Sequence, residues 1–421
     1  LGAMAGGPQL ARLTGDDELM GMVAQAGDAL LEEGHFISPM GFLYENNGPE
    51  TFAYFFVTLG RLIPLHHEWG DPRVLEVLRR HCAWMSRWML LEPDGETVIL
   101  AGSHQTRTGS SYRLSRRGSR GIGKLLEDGE ADERQWMKLF LTPREAIPDM
   151  HKRWDEEADL VGVNRKQGLK QGYNSISTLF RLPSYEPPAS DIEAVLKTLP
   201  CLDNRTYAES QKDDRGNQFI FIRYPAYYAG LGFATHRTTA QHGPGFLWHP
   251  DGGTLILSAN GDRACWETRV GDQGTGKATA LAEMREGRGG HEVMLNYDEP
   301  GLGKTYVFKP NGIDVLFKTR RTGGRVLTER VPLLLREEDV IHLDYGRCIA
   351  CGMGSRVLGV VSQTLSIERE GMRLLSFDFG APVAATLDPS YDSDGYIRTT
   401  LSFPPPAIFF GQTGYRIKIT A

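Results

Sequence analysis

The sequence predicts a protein of mixed α and β structure in two domains, helical over about its first 185 residues and antiparallel β beyond them. Three observations carry that expectation. Apolar residues recur at helical spacing in the N-terminal part, a Pro-rich segment then breaks the period, and short apolar runs bounded by turn residues continue to the C-terminus. Helices followed by a run of strands favour separate domains over a wound α/β sheet. The expected boundaries are a helical domain at 1–185, a linker at 186–200 and a large antiparallel β-sandwich at 201–421.

The elements follow in chain order. Thr14-Gly-Asp-Asp17 resembles a capping-box start, and Leu19, Met20, Val23, Ala26, Leu30 and Leu31 continue it at helical spacing. A second helix is expected from near Pro49, burying Phe52, Phe55, Phe56, Leu59 and Leu62. A third begins near Pro72, with Val74, Leu75, Val77, Leu78, Cys82, Met85, Trp88 and Met89 on its buried face. Weaker helical patterns lie around 131–141, 143–160 and 190–198. Helices separated by loops rich in aromatic and polar residues suit an α/α toroid, whose inner helix ends form a cleft. Leu182-Pro-Ser-Tyr-Glu-Pro-Pro188 interrupts the helical period and reads as a linker. Beyond it, Phe219-Ile-Phe-Ile-Arg-Tyr224, Thr254-Leu-Ile-Leu257 and Val357-Leu-Gly-Val-Val361 read as strands. Apolar alternation on both sides of Asn311-Gly312 is the clearest hairpin signal in the chain.

Composition narrows the function classes. With 40 % hydrophobic and 24 % charged residues the chain is of ordinary globular type, and no run approaches a membrane-spanning helix. A net charge of -6 argues against a general nucleic-acid binder. One basic run, Arg107, Arg113, Arg116, Arg117, Arg120 and Lys124, either lines a groove for a polyanion or forms a solvated loop. The five cysteines are too scattered for a disulfide framework, and Cys348-Ile-Ala-Cys351 has no second pair to make a zinc ribbon. Gly271 to Ala278 and Gly301 to Thr305 imitate phosphate-binding loops, but one ends in Ala and the other lacks its first Gly, so β-turns explain both.

The densest chemistry lies between Tyr224 and Asp262, where His236, His242 and His249 sit among Tyr224, Tyr227, Tyr228 and Trp248. Imidazole and phenol groups titrate on either side of neutrality and serve as acids and bases when placed at a cleft. Tyr227-Tyr228, His242, Gly245-Phe246 and Asp251-Gly252 together resemble the start of the β-domain in heparinase II/III-type polysaccharide lyases. There a strand ending in Tyr-Tyr leads to a histidine loop, a Gly-Phe strand and an Asp-Gly turn. In the helical half, Gly41-Phe-Leu-Tyr-Glu-Asn-Asn-Gly-Pro-Glu50, running to Tyr54, is similar to that family's toroid motif, in which a turn with Gly and Glu precedes the helix of the catalytic tyrosine.

The resemblance implies cleavage of an acidic, uronate-containing glycan, glycosaminoglycan or alginate-like, by β-elimination. That reaction needs a group to neutralise the uronate carboxylate, a base for the C5 proton and an acid for the departing O4. By resemblance His242 is the base or its charge-stabilising partner, Tyr54 the base or acid, and Asn46 the carboxylate clamp, with Asn47 as the alternative clamp. Tyr44 rivals Tyr54, and Glu45 matches the family's glutamate. His104 and Arg107 are expected to bind carboxylate or sulfate, and His236 and Trp248 to contact substrate. Tyr54 also fits a helix-core position, and the asparagines a turn cap. The chain departs from the family in two ways: the His242 loop carries no acid, and the upstream carboxylate-binding pair would fall before residue 1. The toroid is therefore expected to be incomplete.

No cofactor is required by this chemistry. A structural divalent metal, zinc or calcium, has His249, Asp262 and His291 as its available ligands, without dense ligand spacing. Expected partners are an acidic polysaccharide and, through self-association, a second copy, with neither nucleic acid nor membrane involved. Export or a periplasmic location suits such an activity, although no signal peptide is visible at the start. Two other classes stay open: a non-catalytic glycan-binding relative, and a glycoside hydrolase, which would need two carboxylates such as Glu45 and Glu50.

Overall fold

A computed structural model describes residues 2–32, 35–50, 62, 65, 69–95, 97–102, 112–115 and 197–420, apart from short stretches at 236–241, 260–264, 299–300, 320–325, 352–356, 392–395 and 409–411. The chain divides into two compact units. One comprises Leu1–Met89, Asp94–Leu100 and Tyr112–Leu202, the other Leu90–Pro93, Ala101–Ser111 and Asp203–Ala421.

In the first unit, helix α1 spans Gly2–Thr14, α2 spans Asp17–Leu31 and α3 spans Pro72–Ser86. The Asp16 carboxylate caps α2 by accepting the Leu19 N–H at 2.9 Å, two residues beyond Thr14, the expected cap. Asp71 caps α3 in the same way, and Pro72 occupies the first turn, where no backbone N–H is needed. The apolar stripe of α3 is Val74, Val77, Leu78, His81, Trp84 and Met85, so a histidine lies in a face that otherwise reads as apolar. Between α2 and α3 the chain forms a small hairpin, β1 Tyr44–Glu45 and β2 Gly48–Pro49. After β3, Met89–Leu91, strands β4 Thr97–Leu100 and β5 Tyr112–Ser115 pair antiparallel. The described residues do not show an α/α toroid. The helices expected at 131–141 and 143–160 and the linker at 182–188 lie outside them. Among the described helices none is long and apolar enough to cross a membrane.

The second unit is almost wholly antiparallel β, and its strands join into one hydrogen-bonded network. Long strands change partner along their length and link its parts: Met372–Tyr391 pairs in turn with strands at Leu358–Arg369, Gln412–Ile419 and Tyr396–Phe403. Strands β6 Tyr207–Lys212, β7 Asn217–Tyr224, β8 Tyr227–Ala234, β9 Gly243–His249 and β10 Gly253–Leu257 run as a meander. Residues of β7, β8 and β9 are buried on both faces, which is why their sequences are apolar runs rather than alternations. Ile220, Leu231, Leu247, Val293, Val315, Leu333 and Ile417 belong to one continuous core.

The hairpin foreseen at Asn311-Gly312 joins Leu302–Lys309 to Gly312–Thr319, but Lys309 pairs with Gly312. Pro310 and Asn311 therefore make the turn. Proline fixes a negative φ, which excludes the doubly left-handed Asn-Gly turn that the sequence suggested.

Within the core, the Lys304 ammonium and Glu329 carboxylate are paired at 2.8 Å and both fully buried. Thr268 Oγ1 donates to Glu329, and Trp266 Nε1 and the Tyr415 hydroxyl donate to the same carboxylate, so its lone pairs are widely used. Lys304 also lies 4.8 Å from the Tyr306 ring centre. Burial pushes its ammonium below the usual lysine range. A second buried acid, Glu92, accepts from Thr254 N and Oγ1 and from Arg336, and ties residues 90–93 into this unit.

Candidate functional site

The motif in the first unit is built around a two-residue turn. Tyr44 pairs with Pro49 and Glu45 with Gly48, leaving Asn46 and Asn47 at the tip with φ of 51° and 70°. Two consecutive left-handed residues define a type I′ turn, and asparagine tolerates that conformation better than other non-glycine residues. The sequence reading placed these residues at a loop-to-helix junction; they form a hairpin tip instead, and both are exposed. Tyr44 and Glu45 are half-buried behind them. The hairpin is fixed from below: the Tyr44 ring lies edge-on to Phe42 at 5.3 Å, and Phe42 packs 4.9 Å from Trp84 of α3. Backbone bonds Ser38 N to Phe42 O and Tyr44 N to Phe36 O complete the anchorage.

Glu50, just past β2, is 9 % exposed, and its Oε1 lies 3.3 Å from Nε2 of His81. A carboxylate held that way is a poor candidate for one of the two flanking acids of a hydrolase.

In the second unit, His242 directly precedes β9. Its backbone N–H donates to the Gly276 carbonyl at 2.6 Å, and its Nδ1 lies 2.8 Å from the Ala278 carbonyl. A carbonyl can only accept, so Nδ1 carries the hydrogen and the neutral ring keeps its lone pair at Nε2. The holding segment is the stretch that imitates a phosphate loop. It forms a short turn, Thr275–Lys277, in which the Gly276 carbonyl holds the His242 backbone, and the Ala278 carbonyl just after it orients the imidazole. His242 is 4 % exposed, so it can serve as a base only toward a proton brought directly to its ring edge.

The tyrosines of this region are structural. The Tyr227 hydroxyl donates to the Lys309 carbonyl at 2.8 Å, and that of Tyr224 to Phe308 at 3.2 Å. Burial holds the Tyr227 phenol well above its ordinary range, so it does not ionise near neutrality. Tyr228 packs between Phe221 and Phe246. Trp248, expected to contact substrate, is a core residue: it is 1 % exposed and its Nε1 donates to the Leu91 carbonyl at 2.8 Å. Beneath it runs Arg223, a buried hub that sequence reasoning passed over. Arg223 donates to the carbonyls of Asp203, Tyr224 and Tyr227, and its guanidinium lies 5.7 Å from the Trp248 ring centre.

Of the three residues considered for a metal, His249 has both ring nitrogens engaged. Nε2 donates to Thr420 O at 2.8 Å, and Nδ1 accepts the N–H groups of Asp251 and Gly252. Burial, chiefly, holds this imidazole below its usual range. His291 lies with its ring 5.9 Å from that of Tyr224. Asp262 is outside the described residues, and among those described no group of three or more His, Cys, Asp or Glu could hold a metal. Tyr54, His104, Arg107 and His236 also lie outside the described residues. The cysteine pair is not poised for redox work, since burial pushes the Cys351 thiol up to about 12. Lys304, in the second phosphate-loop imitation, is the buried lysine described above.

No protein-family model matches the chain, and no curated protein matches it. Solved structures give low-similarity neighbours. A chondroitin AC lyase from Streptomyces coelicolor, solved with chondroitin sulphate, is 12 % identical with a TM-score of 0.46, over 98 % of this chain and 58 % of that one. A TPR-domain-containing protein from Parabacteroides distasonis is 9 % identical with a TM-score of 0.31, over 52 % of this chain and 51 % of that one. An α-N-acetylgalactosaminidase from Bifidobacterium bifidum, in complex with GalNAc, is 12 % identical with a TM-score of 0.27, over 51 % and 36 %. This chain therefore spans 58 % or less of the length of each of these three structures.

Proposed function

We propose that this protein is a polysaccharide lyase that cleaves an acidic, uronate-containing glycan by β-elimination. The observation that supports this reading most is the tautomer of His242: its Nδ1–H is committed to the Ala278 carbonyl, which leaves Nε2 as the basic nitrogen. In the reaction that nitrogen takes the C5 proton of the uronate. The C5–H electrons form the C4=C5 double bond, the C4–O4 bond breaks, and O4 leaves with a proton. Tyr54 is assigned to deliver that proton, and the Asn46 carboxamide, exposed on its turn, to hold the uronate carboxylate as negative charge develops. Tyr44 and Asn47 are the alternatives for those two roles, and Glu45, His104, Arg107 and His236 are assigned to substrate contact.

The low exposure of His242 favours a second reading, a glycan-binding protein without catalysis. Incubation with chondroitin sulfate and with alginate separates the readings. A lyase produces an unsaturated uronate, seen by its ultraviolet absorbance; a hydrolase releases reducing ends without that band; a binding protein does neither. His242→Ala and Tyr54→Phe are each expected to abolish the absorbance change while leaving the circular dichroism spectrum intact. Full turnover in both variants would overturn the assignment.

A further inference from the structure

The buried pair of His81 and Glu50 has no role in the chemistry above, and its placement is costly. His81 is 0 % exposed, and ionisable groups are rarely buried without a partner. Its Nδ1 lies 2.7 Å from the Gly41 carbonyl and its Nε2 3.3 Å from Glu50 Oε1. The carbonyl only accepts, so Nδ1 carries a hydrogen. A carboxylate also only accepts, so the second contact is a hydrogen bond only when the pair holds one proton more than a neutral imidazole and a carboxylate.

What the pair grips is the motif segment, from both ends. Gly41, at φ 103°, sits so close to α3 that a Cβ there would run into the Arg80 carbonyl, which lets its own carbonyl reach His81. Glu50 closes the far end, where its backbone N–H donates to Leu43 O at 3.1 Å. Between these two points lie the hairpin and its exposed Asn46-Asn47 tip. We infer that His81 and Glu50 are positioning residues that hold the Asn46-Asn47 turn in place for the substrate carboxylate. The inference deepens the reading of Asn46 given above and rests on it for its functional part. Its structural part, that the pair orders residues 41–50, stands by itself.

The test uses the full chain with His81→Leu, Glu50→Ala and Glu50→Gln. Glutamine can donate its amide N–H to the Nε2 lone pair of a neutral imidazole, so it restores the contact without the extra proton. Amide exchange, read by mass spectrometry on peptides covering 41–50, is expected to quicken in His81→Leu and Glu50→Ala and to return to the wild-type rate in Glu50→Gln. On whichever of chondroitin sulfate or alginate the wild type cleaves, the two disruptive variants should raise KM by about tenfold, as for a displaced binding group, with Glu50→Gln restoring it. Wild-type exchange at 41–50 in Glu50→Ala would overturn the inference. So would an unchanged KM with kcat lowered only in proportion to the folded fraction. Should His81→Leu fail to fold, the two Glu50 variants decide. If the wild type cleaves neither polymer, the lyase reading fails, and the exchange rates still decide whether the pair orders the hairpin.

Discussion

The two ends of strand β9 carry one histidine each, and the two imidazoles are held in opposite tautomers. At the start, His242 donates from Nδ1 to a carbonyl, which leaves its basic nitrogen at Nε2. At the end, His249 donates from Nε2 to Thr420 and uses Nδ1 to accept two backbone N–H groups of the Asp251-Gly252 turn. Both are nearly buried, at 4 % and 1 % exposure, so burial does not distinguish them. The difference lies in the tautomer. His249 bonds through both ring nitrogens, whereas the backbone around His242 holds the hydrogen at Nδ1 and so places the lone pair of the neutral ring at Nε2. The largest expected effect follows from that contrast. His242→Ala should lower the rate of the proposed elimination per folded molecule by about 10²–10⁴-fold, the usual scale for loss of a general base, beyond the modest stability lost with the buried ring and its bond to Ala278. A large stability loss with unaltered turnover in the folded fraction would place His242 with His249 as a structural residue and break the comparison.

Lys304 and Glu329 sharpen the point from the side of pure structure. They form a charged constellation as rich in hydrogen bonds as many active sites, yet both are fully enclosed among Trp266, Tyr306, Phe317 and Tyr415. Glu329→Leu leaves a buried ammonium without its counter-ion and should cost about 3–5 kcal/mol in denaturant unfolding. The double variant Lys304→Met with Glu329→Leu removes both charges and should recover most of that loss. If the double variant is as unstable as the single one, the network contributes through shape rather than charge. His249→Ala comes next in size. It strips partners from the Asp251 and Gly252 N–H groups and the Thr420 carbonyl, for an expected loss of about 1–3 kcal/mol, while the elimination rate per folded molecule stays unchanged.

Much of the local structure was legible from the sequence, and the reasons are local. Asp16, Asp71 and Pro72 are start signals that act within one helical turn, so α2 and α3 fall where capping chemistry puts them. Helix α1 escaped notice because Gly2, Gly6, Gly7 and Pro8 are poor helix formers, and packing such as that of Gly7 against Val23 lies outside any local pattern. The joining of the β strands into one network was illegible for the same reason: the partners of Met372–Tyr391 are chosen by long-range pairing. At the site, the reading of the asparagines as a turn cap fits the hairpin tip that Asn46 and Asn47 form, while the helix expected to follow lies at residues outside those described. A type I′ turn was the better inference from two adjacent asparagines before Gly48. The carbonyls that orient His242 belong to Gly276 and Ala278, and backbone acceptors carry no side-chain signal at all. Trp248 misled because an indole suits a sugar surface and a strand core equally well, and only its bond to the Leu91 carbonyl decides.

The smallest effect concerns pH. His249 is held below its usual value near 6.5, chiefly by burial, so the unfolded chain takes up a proton at a pH where the folded ring still resists it. Its contribution to stability is therefore fully present above about pH 6.5 and is lost as pH falls toward the lowered folded value. Carboxylates titrate lower down and the other histidines are common to both chains, so between about pH 7 and 5 the difference in slope between wild type and a His249 variant reports this imidazole. A His249→Gln variant cannot take up that proton. Its stability at neutral pH will be lower, but its slope against pH in that window should be shallower than that of the wild type by up to one proton. Equal slopes would mean that the folded ring protonates in place and that Nδ1 surrenders the Asp251 and Gly252 N–H groups at no cost. The backbone bonds at the end of β9 would then not be what resists protonation of His249.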